Sequence, residues 1–105
     1  MPKPKQDSEI RNSLANLGGW TLQGNAIVRE FNFTDFVQAM VFVNRVAGVA
    51  EDAGHHPDIT IVYNHVTLRL STHDAGGITV NDIRMAETLN GLPESSQTEQ
   101  RRKAG

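Results

Sequence analysis

Apolar positions along the chain change period several times, and each change marks an element. Ile10, Leu14 and Leu17 recur at i, i+4 and i+7, the stripe of an amphipathic helix. Asp7 or Ser8 is placed to cap it, since either side chain accepts from an orphan N–H of the first turn, and Gly18-Gly19 ends it. A short strand is predicted over residues 20–23, a turn at Gly24-Asn25, and a longer strand over residues 26–33. Ile27, Arg29, Phe31 and Phe33 share one face of that strand by the period of two; Arg29 is the exception and is expected near the sheet margin. Thr34 is the expected N-cap of a long second helix, with Asp35 in its first turn. That helix runs to about Ala53, where Gly54 suits the left-handed position past its end. Phe36, Ala39, Met40, Phe42, Val43, Val46, Ala47, Val49 and Ala50 form its inward arc. Val37, Val41 and Gly48 form a second patch within the polar half. A helix that is apolar on two sides is usually buried on two sides, so the pattern predicts contact with another subunit.

Residues 58–63 and 66–72 alternate Ile, Val, Leu and Thr and read as two strands joined around Asn64-His65. Residues 74–77 are a loop. Thr79 caps a last helix with Ile83, Ala86 and Leu89 inward, and Asn90-Gly91-Leu92-Pro93 is expected to stop it. The order is α-β-β-α-β-β-α. The simplest packing is α+β: a four-stranded antiparallel sheet with helices on one face. Residues 1–6, with two prolines and two lysines, are expected to be loose, residues 7–93 to form the single domain, and the polar residues 94–105 to be a disordered tail.

Composition narrows the function classes. A length of 105 residues suits one domain. The absence of cysteine removes disulfides and thiolate metal sites, which fits a reducing compartment. The first residues lack an apolar signal segment and no apolar run reaches membrane-spanning length, so a cytoplasmic protein with no membrane partner is expected. A net charge of −2 argues against direct nucleic-acid binding, which wants a basic face.

Chemistry gathers between Glu51 and Asp82. The stretch holds His55-His56-Pro57, Tyr63, His73 and Asp82. Pro57 pushes His56 towards an extended conformation, and Gly54 permits the turn that would bring both histidines to one pocket. If the helix persists past Gly54, Glu51 meets His55 at i, i+4 and favours its imidazolium form. His73 stands at a strand end before a Gly-rich loop, a common place for functional side chains. Asp82 follows Thr79 by three residues, the N3 acid of a capping box, and the alternative is that it orients His73 or another pocket group. Tyr63 reads as a half-buried strand aromatic or a ligand contact. Adjacent histidines are poorly spaced for two ligands of one metal ion, and neither a nucleophile elbow nor a phosphate-binding loop is present, so no metal and no cofactor are expected.

Glu51, three residues, His55-His56-Pro57, an aromatic at Tyr63 after a short strand, then His73 and Asp82: this resembles the signature of the pterin-4a-carbinolamine dehydratases. Phe31-Asn32-Phe33-Thr34-Asp35-Phe36, Val62-Tyr63-Asn64 and Leu70-Ser71-Thr72-His73 are similar to family text, and the likeness spans roughly Trp20 to Gly91. The resemblance implies the same α+β fold and dehydration of a 4a-hydroxytetrahydropterin to the quinonoid dihydropterin, in tetrahydropterin recycling. It implies catalysis by His55, His56 and His73, with Glu51, Asp82 and Tyr63 supporting. His55 and His73 are then the acid/base candidates, and His56 positions the pterin. The partners implied are the pterin substrate and other copies of the chain, as dimer or tetramer. The resemblance also carries two alternatives: a non-catalytic dimerisation cofactor of a transcription factor, and a role in another pterin pathway such as molybdenum cofactor assembly. Animal members carry Trp two residues after the Pro; here that position is Ile59, which removes a flat surface from the pocket.

Overall fold

The computed structural model describes the backbone of residues 4–104 and the side chains of residues 4–92. Three helices and four strands follow in the expected order: α1 (Asp7–Leu17), β1 (Thr21–Gln23), β2 (Ala26–Asn32), α2 (Phe36–Ala53), β3 (Asp58–Val62), β4 (His65–Leu70) and α3 (Val80–Ala104), with a single 3-10 turn at His73–Ala75. The sheet is antiparallel throughout, in the order β1-β2-β4-β3. Each hairpin therefore contributes one inner strand, and β2 meets β4 along six residue pairs from Ile27↔Leu70 to Asn32↔His65.

Period-two alternation decides which face of the sheet is covered. Ile27 and Phe31 on β2, and Val66, Leu68 and Leu70 on β4, are buried, whereas Glu30, Asn32 and Arg69 between them are exposed. The covered face takes Ala39, Phe42, Val46 and Ala50 from α2 and Ile83, Ala86 and Leu89 from α3. Phe42 sits between Phe31 and Phe33, with ring centroids 4.7 and 5.0 Å away. Ile10 of α1 is buried, and Leu14 and Leu17 pack partly against the same core. The inward arc of α2 is narrower than its sequence suggests, because Phe36 is 49 % exposed at the first helical position and Ala47 faces solvent.

Several boundaries differ from expectation for identifiable reasons. The N-cap of α2 is Asp35, not Thr34: the Asp35 carboxylate accepts from Gln38 N at 2.9 Å, and the ionised oxygen supplants the hydroxyl one residue earlier. The N-cap of α1 is Gln6, whose N–H donates to Glu9 at 3.1 Å, so Asp7 and Ser8 lie inside the helix. The segment expected to be loose is tied down before that, since Lys5 N donates to Ile78 O at 2.7 Å. Residues 1–3 lie outside the described residues.

The stop expected at Asn90-Gly91-Leu92-Pro93 is absent, and α3 continues to Ala104. Asn90 keeps a helical backbone, and its side chain is bonded across the core. Its Oδ1 accepts from Trp20 Nε1 at 2.7 Å and from Arg29 Nη1 at 2.6 Å, and its Nδ2 donates to Leu17 O at 2.7 Å. Arg29 thereby finds a place on the covered face, stacked 4.3 Å over the Phe31 ring, where burial lowers its pKa from the ordinary arginine value. One amide joins α1, β2 and α3. Among the described residues no helix is long and apolar enough to cross a membrane.

Candidate active site

The site begins where α2 ends. Gly54 takes the left-handed conformation at φ 63° and ψ 29°, and His55 N reaches back five residues to Ala50 O at 3.1 Å, the closing bond of a Schellman turn. That turn ends the helix before His55. Its imidazole is therefore thrown off the helix axis towards α3, not stacked on the last turn of α2. Pro57 then commits the chain to β3.

The two histidines part company here. His55 Nε2 lies 2.5 Å from Asp82 Oδ1, with the imidazole 17 % exposed and the carboxylate fully buried. His56 Nε2 lies 2.5 Å from Glu51 Oε2, and that pair is open to solvent. The expected pairing of Glu51 with His55 is thus corrected. It required α2 to persist through residue 55, and the left-handed Gly54 removes that condition. Glu51 serves His56, and Asp82 serves His55.

Asp82 reconciles the two alternatives that its position left open. Its Oδ2 accepts from Thr79 N at 2.9 Å while Thr79 Oγ1 accepts from Asn81 N at 3.2 Å, which closes the first turn of α3 as a capping pair. The same Oδ2 accepts from Thr72 Oγ1 at 2.8 Å. Oδ1 is left for His55. A buried carboxylate costs several kcal/mol unless it is met by donors, and here three of them fix its position. Thr72 is the residue that sequence reasoning missed. Its hydroxyl also lies 2.9 Å from Thr79 Oγ1, and its backbone N donates to Gly77 O at 2.8 Å, so it pins the loop that carries His73 to the α3 cap.

His73 opens the 3-10 turn immediately after Thr72 and is exposed. It directly follows Thr72, a member of the Asp82 network, so it belongs to the same end of the sheet as His55. Tyr63 does not. It follows Val62 at the far end of β3, five strand residues from Asp58, a span of roughly 16 Å at about 3.3 Å per residue. It is 63 % exposed and takes φ 53°, forming the tip of the β3–β4 hairpin. Within one chain Tyr63 is a turn residue, not a neighbour of the histidines. His65, beside it, contacts Asn32 across the sheet.

A cavity of about 220 Å³ opens beside His55. Val49 and Ala53 of α2 form one wall, Asn81, Arg84 and Thr88 of α3 the other, and Met85 lies between. Asn81, Arg84 and Thr88 fall at spacings of three and four, one helix face, but nothing in a single sequence separates such a polar stripe from ordinary solvated surface. Nε2 of His55 faces Asp82, and among the described residues Nδ1 has no hydrogen-bond partner. Among the described residues no group of three or more His, Cys, Asp or Glu side chains is placed to hold a metal ion.

The sequence profile of the pterin 4 alpha carbinolamine dehydratases matches residues 3–92. The chain belongs to that family. A relative from Koribacter versatilis is 54 % identical over 92 residues, covering 88 % of this chain and 98 % of its own. One from Thermomicrobium roseum is 55 % identical over 86 residues, covering 82 % and 92 %. Both are named, provisionally, as pterin-4-alpha-carbinolamine dehydratases. Among solved structures, a transcriptional coactivator/pterin dehydratase from Brucella melitensis superposes with a TM-score of 0.83 at 38 % identity, covering 87 % of this chain and 99 % of that one. A pterin dehydratase-like protein identified as a RuBisCO assembly factor in the alpha-carboxysome shares the fold, with a TM-score of 0.63 at 22 % identity over 71 % of this chain and 89 % of its own.

Proposed function

We propose that the protein dehydrates a pterin-4a-carbinolamine to the quinonoid dihydropterin. The observation that carries this reading is the His55–Asp82 pair at the edge of the groove: a part-buried imidazole whose one nitrogen is held by a buried, fully bonded carboxylate and whose other nitrogen has no partner among the described residues. Elimination of water from C4a needs a proton delivered to the departing hydroxyl and a proton removed from a ring nitrogen. No electrons are exchanged with the protein. When His55 Nε2–H donates to Asp82, the Nδ1 lone pair faces outward as a base; once it has taken up a proton, the same nitrogen serves as an acid. His73 is the second proton carrier, and His56, braced by Glu51, borders the pterin. A positioned acid/base pair is worth about 10²–10⁴-fold in rate, a useful gain for an intermediate that also loses water unaided.

The deciding experiment is a stopped-flow dehydration assay with synthetic 4a-carbinolamine. Catalysis above the buffer rate that is lost in His55→Ala supports the reading; a wild-type rate equal to buffer sinks it.

A second reading is a binding module. It is favoured by Phe36 and Val37 on α2 and by Ile59, Val62 and Tyr63 along β3, large apolar side chains left exposed in the single chain. Their occupants are expected to be other copies of this chain, as dimer or tetramer. Partner capture that survives His55→Ala and His73→Ala would assign that surface a role separate from the histidines.

A further inference from the structure

The groove beside His55 carries a positive charge that proton transfer does not use. Arg84 lines it, and among the described residues no carboxylate does. Asp82 is one helical face away, but both of its oxygens are occupied by His55, Thr72 and Thr79. Glu87, three residues beyond Arg84, lines a different hollow with Ser13, Asn16 and Leu17 of α1. The Arg84 guanidinium has no hydrogen-bond or ion-pair partner among the described residues. It is exposed, at the rim of a cavity of about 220 Å³. Such a volume takes a bicyclic ring and little more.

Consider a flat heterocycle lying against Val49, Ala53 and Met85 with its reacting edge at His55. In that pose a chain attached to the ring can run along the rim formed by Asn81, Arg84 and Thr88. A guanidinium offers paired N–H donors that match the paired oxygens of a carboxylate or phosphate, and charge-assisted bonds of this kind are about twice as strong as neutral ones. We propose that Arg84 makes the groove selective for pterins bearing an anionic side chain at C6, a phosphate ester or a carboxylate, over pterins with a neutral polyol chain. The proposal rests on the reading of the groove as a pterin site and names its substrate class.

The test is calorimetric titration of the full chain with three probes: 7,8-dihydrobiopterin as the neutral pterin, 6-carboxypterin, and dihydroneopterin monophosphate. Wild type, Arg84→Gln and Arg84→Lys are compared, with circular dichroism confirming that each is folded. The wild type should bind at least one anionic probe about tenfold more tightly than the neutral one. Arg84→Gln should erase that ratio, and Arg84→Lys should retain part of it. A gain with both anions assigns the selectivity to charge, and a gain with phosphate alone narrows it to a phosphate ester. Equal affinity for all three probes in wild type, or a preference that persists in Arg84→Gln, overturns the proposal while leaving the pterin site intact. Failure of all three probes to bind overturns both the selectivity and the pterin reading on which it rests.

Discussion

Asp82 Oδ1 lies 2.5 Å from His55 Nε2, while the other oxygen of the same carboxylate closes the first turn of α3. One buried side chain therefore joins the start of a helix to the proposed acid/base group. Asp82→Asn keeps the shape but replaces one acceptor with an N–H donor. Whichever way the amide turns, it faces either Thr72 and Thr79 N with a donor, or His55 with a donor. Stability should fall by about 1–3 kcal/mol, the cost of leaving buried polar groups unmatched, and the dehydration rate should fall with it. Urea denaturation and the carbinolamine assay, run on the same samples, check both halves. Loss of stability with an undiminished rate would make Asp82 a helix cap and nothing more.

His55→Ala and His73→Ala separate chemistry from fold. His73 is exposed, so its truncation should leave the melting curve nearly unchanged, whereas His55→Ala leaves one oxygen of the buried Asp82 short of a donor and should cost about 1–3 kcal/mol while the protein stays folded. Each should lower the dehydration rate at least about tenfold, within the ~10²–10⁴ range of a positioned acid or base. If the two act as one unit, the double variant should lose little beyond the worse single one, and a rate measurement on all three variants reads this directly.

Glu51→Gln should do little to stability. The Glu51 and His56 side chains are 76 % and 61 % exposed, and solvent screens such a pair to well under about 1 kcal/mol. The substitution should leave the His55–Asp82 pair in place, so a change in rate would have to act through His56 and pterin binding. Kinetics should then show it in KM with kcat preserved. A fall in kcat at constant KM would contradict this division of labour.

The strand pattern and helix stripes were legible because burial on one sheet face imposes the periods of two and 3.6 on the residues themselves: Ile27 with Phe31, and Ile83 with Ala86 and Leu89, are all buried. The histidines were legible as a cluster, and Gly54 as the residue that turns the chain. Which carboxylate serves which imidazole was not. Sequence separation puts Glu51 nearer to His55 than Asp82 is, and only the left-handed turn at Gly54 reverses that order in space. Tyr63 shows the same limit: it lies between His56 and His73 in sequence, yet a strand and its return place it at the opposite end of the hairpin. Asn90-Gly91-Leu92-Pro93 has the composition of a helix stop, but Asn90 answers to Trp20 and Arg29, partners 70 and 61 residues away, that no local rule sees.

Asn90→Ala should consequently be among the more damaging single substitutions away from the proposed site. It removes the acceptor of both Trp20 Nε1 and Arg29 Nη1 and the donor to Leu17 O. Trp20 is 4 % exposed and Arg29 is part-buried, so water cannot freely replace the lost amide. Each buried group left unmatched costs about 1–3 kcal/mol, and a total of about 2–4 kcal/mol is expected. Thermal or urea unfolding measures it. A loss below about 0.5 kcal/mol would mean that solvent reaches these groups and that the link between α1, β2 and α3 rests on packing alone.

The last prediction concerns the surface that a single chain leaves uncovered. Val37 is 65 % exposed on α2, and Phe36 beside it is 49 % exposed. Val41 and Gly48 follow on the same face at spacings of four and seven, half-buried and exposed respectively. The outer strand β3 leaves its backbone edge unpaired and exposes Ile59 and Val62 at 38 and 64 %, with Tyr63 in the turn beyond it at 63 %. Edge strands of this kind are normally blunted by charge, proline or a covering element, and here the strand itself carries only Asp58. Self-association would cover both surfaces. Val37→Glu adds a carboxylate to the helical one, and enclosing it without a partner costs several kcal/mol, enough to dissociate a modest interface. Static light scattering of wild type should give a dimer or tetramer at micromolar concentration, and Val37→Glu should give a smaller species with an unchanged far-ultraviolet spectrum. A reduction from tetramer to dimer would mean that the α2 face joins pairs already formed at another surface, with β3 the exposed candidate. Reduction straight to monomer would make the helical face the primary contact. A monomeric wild type would end the idea and leave the apolar patches to a different partner.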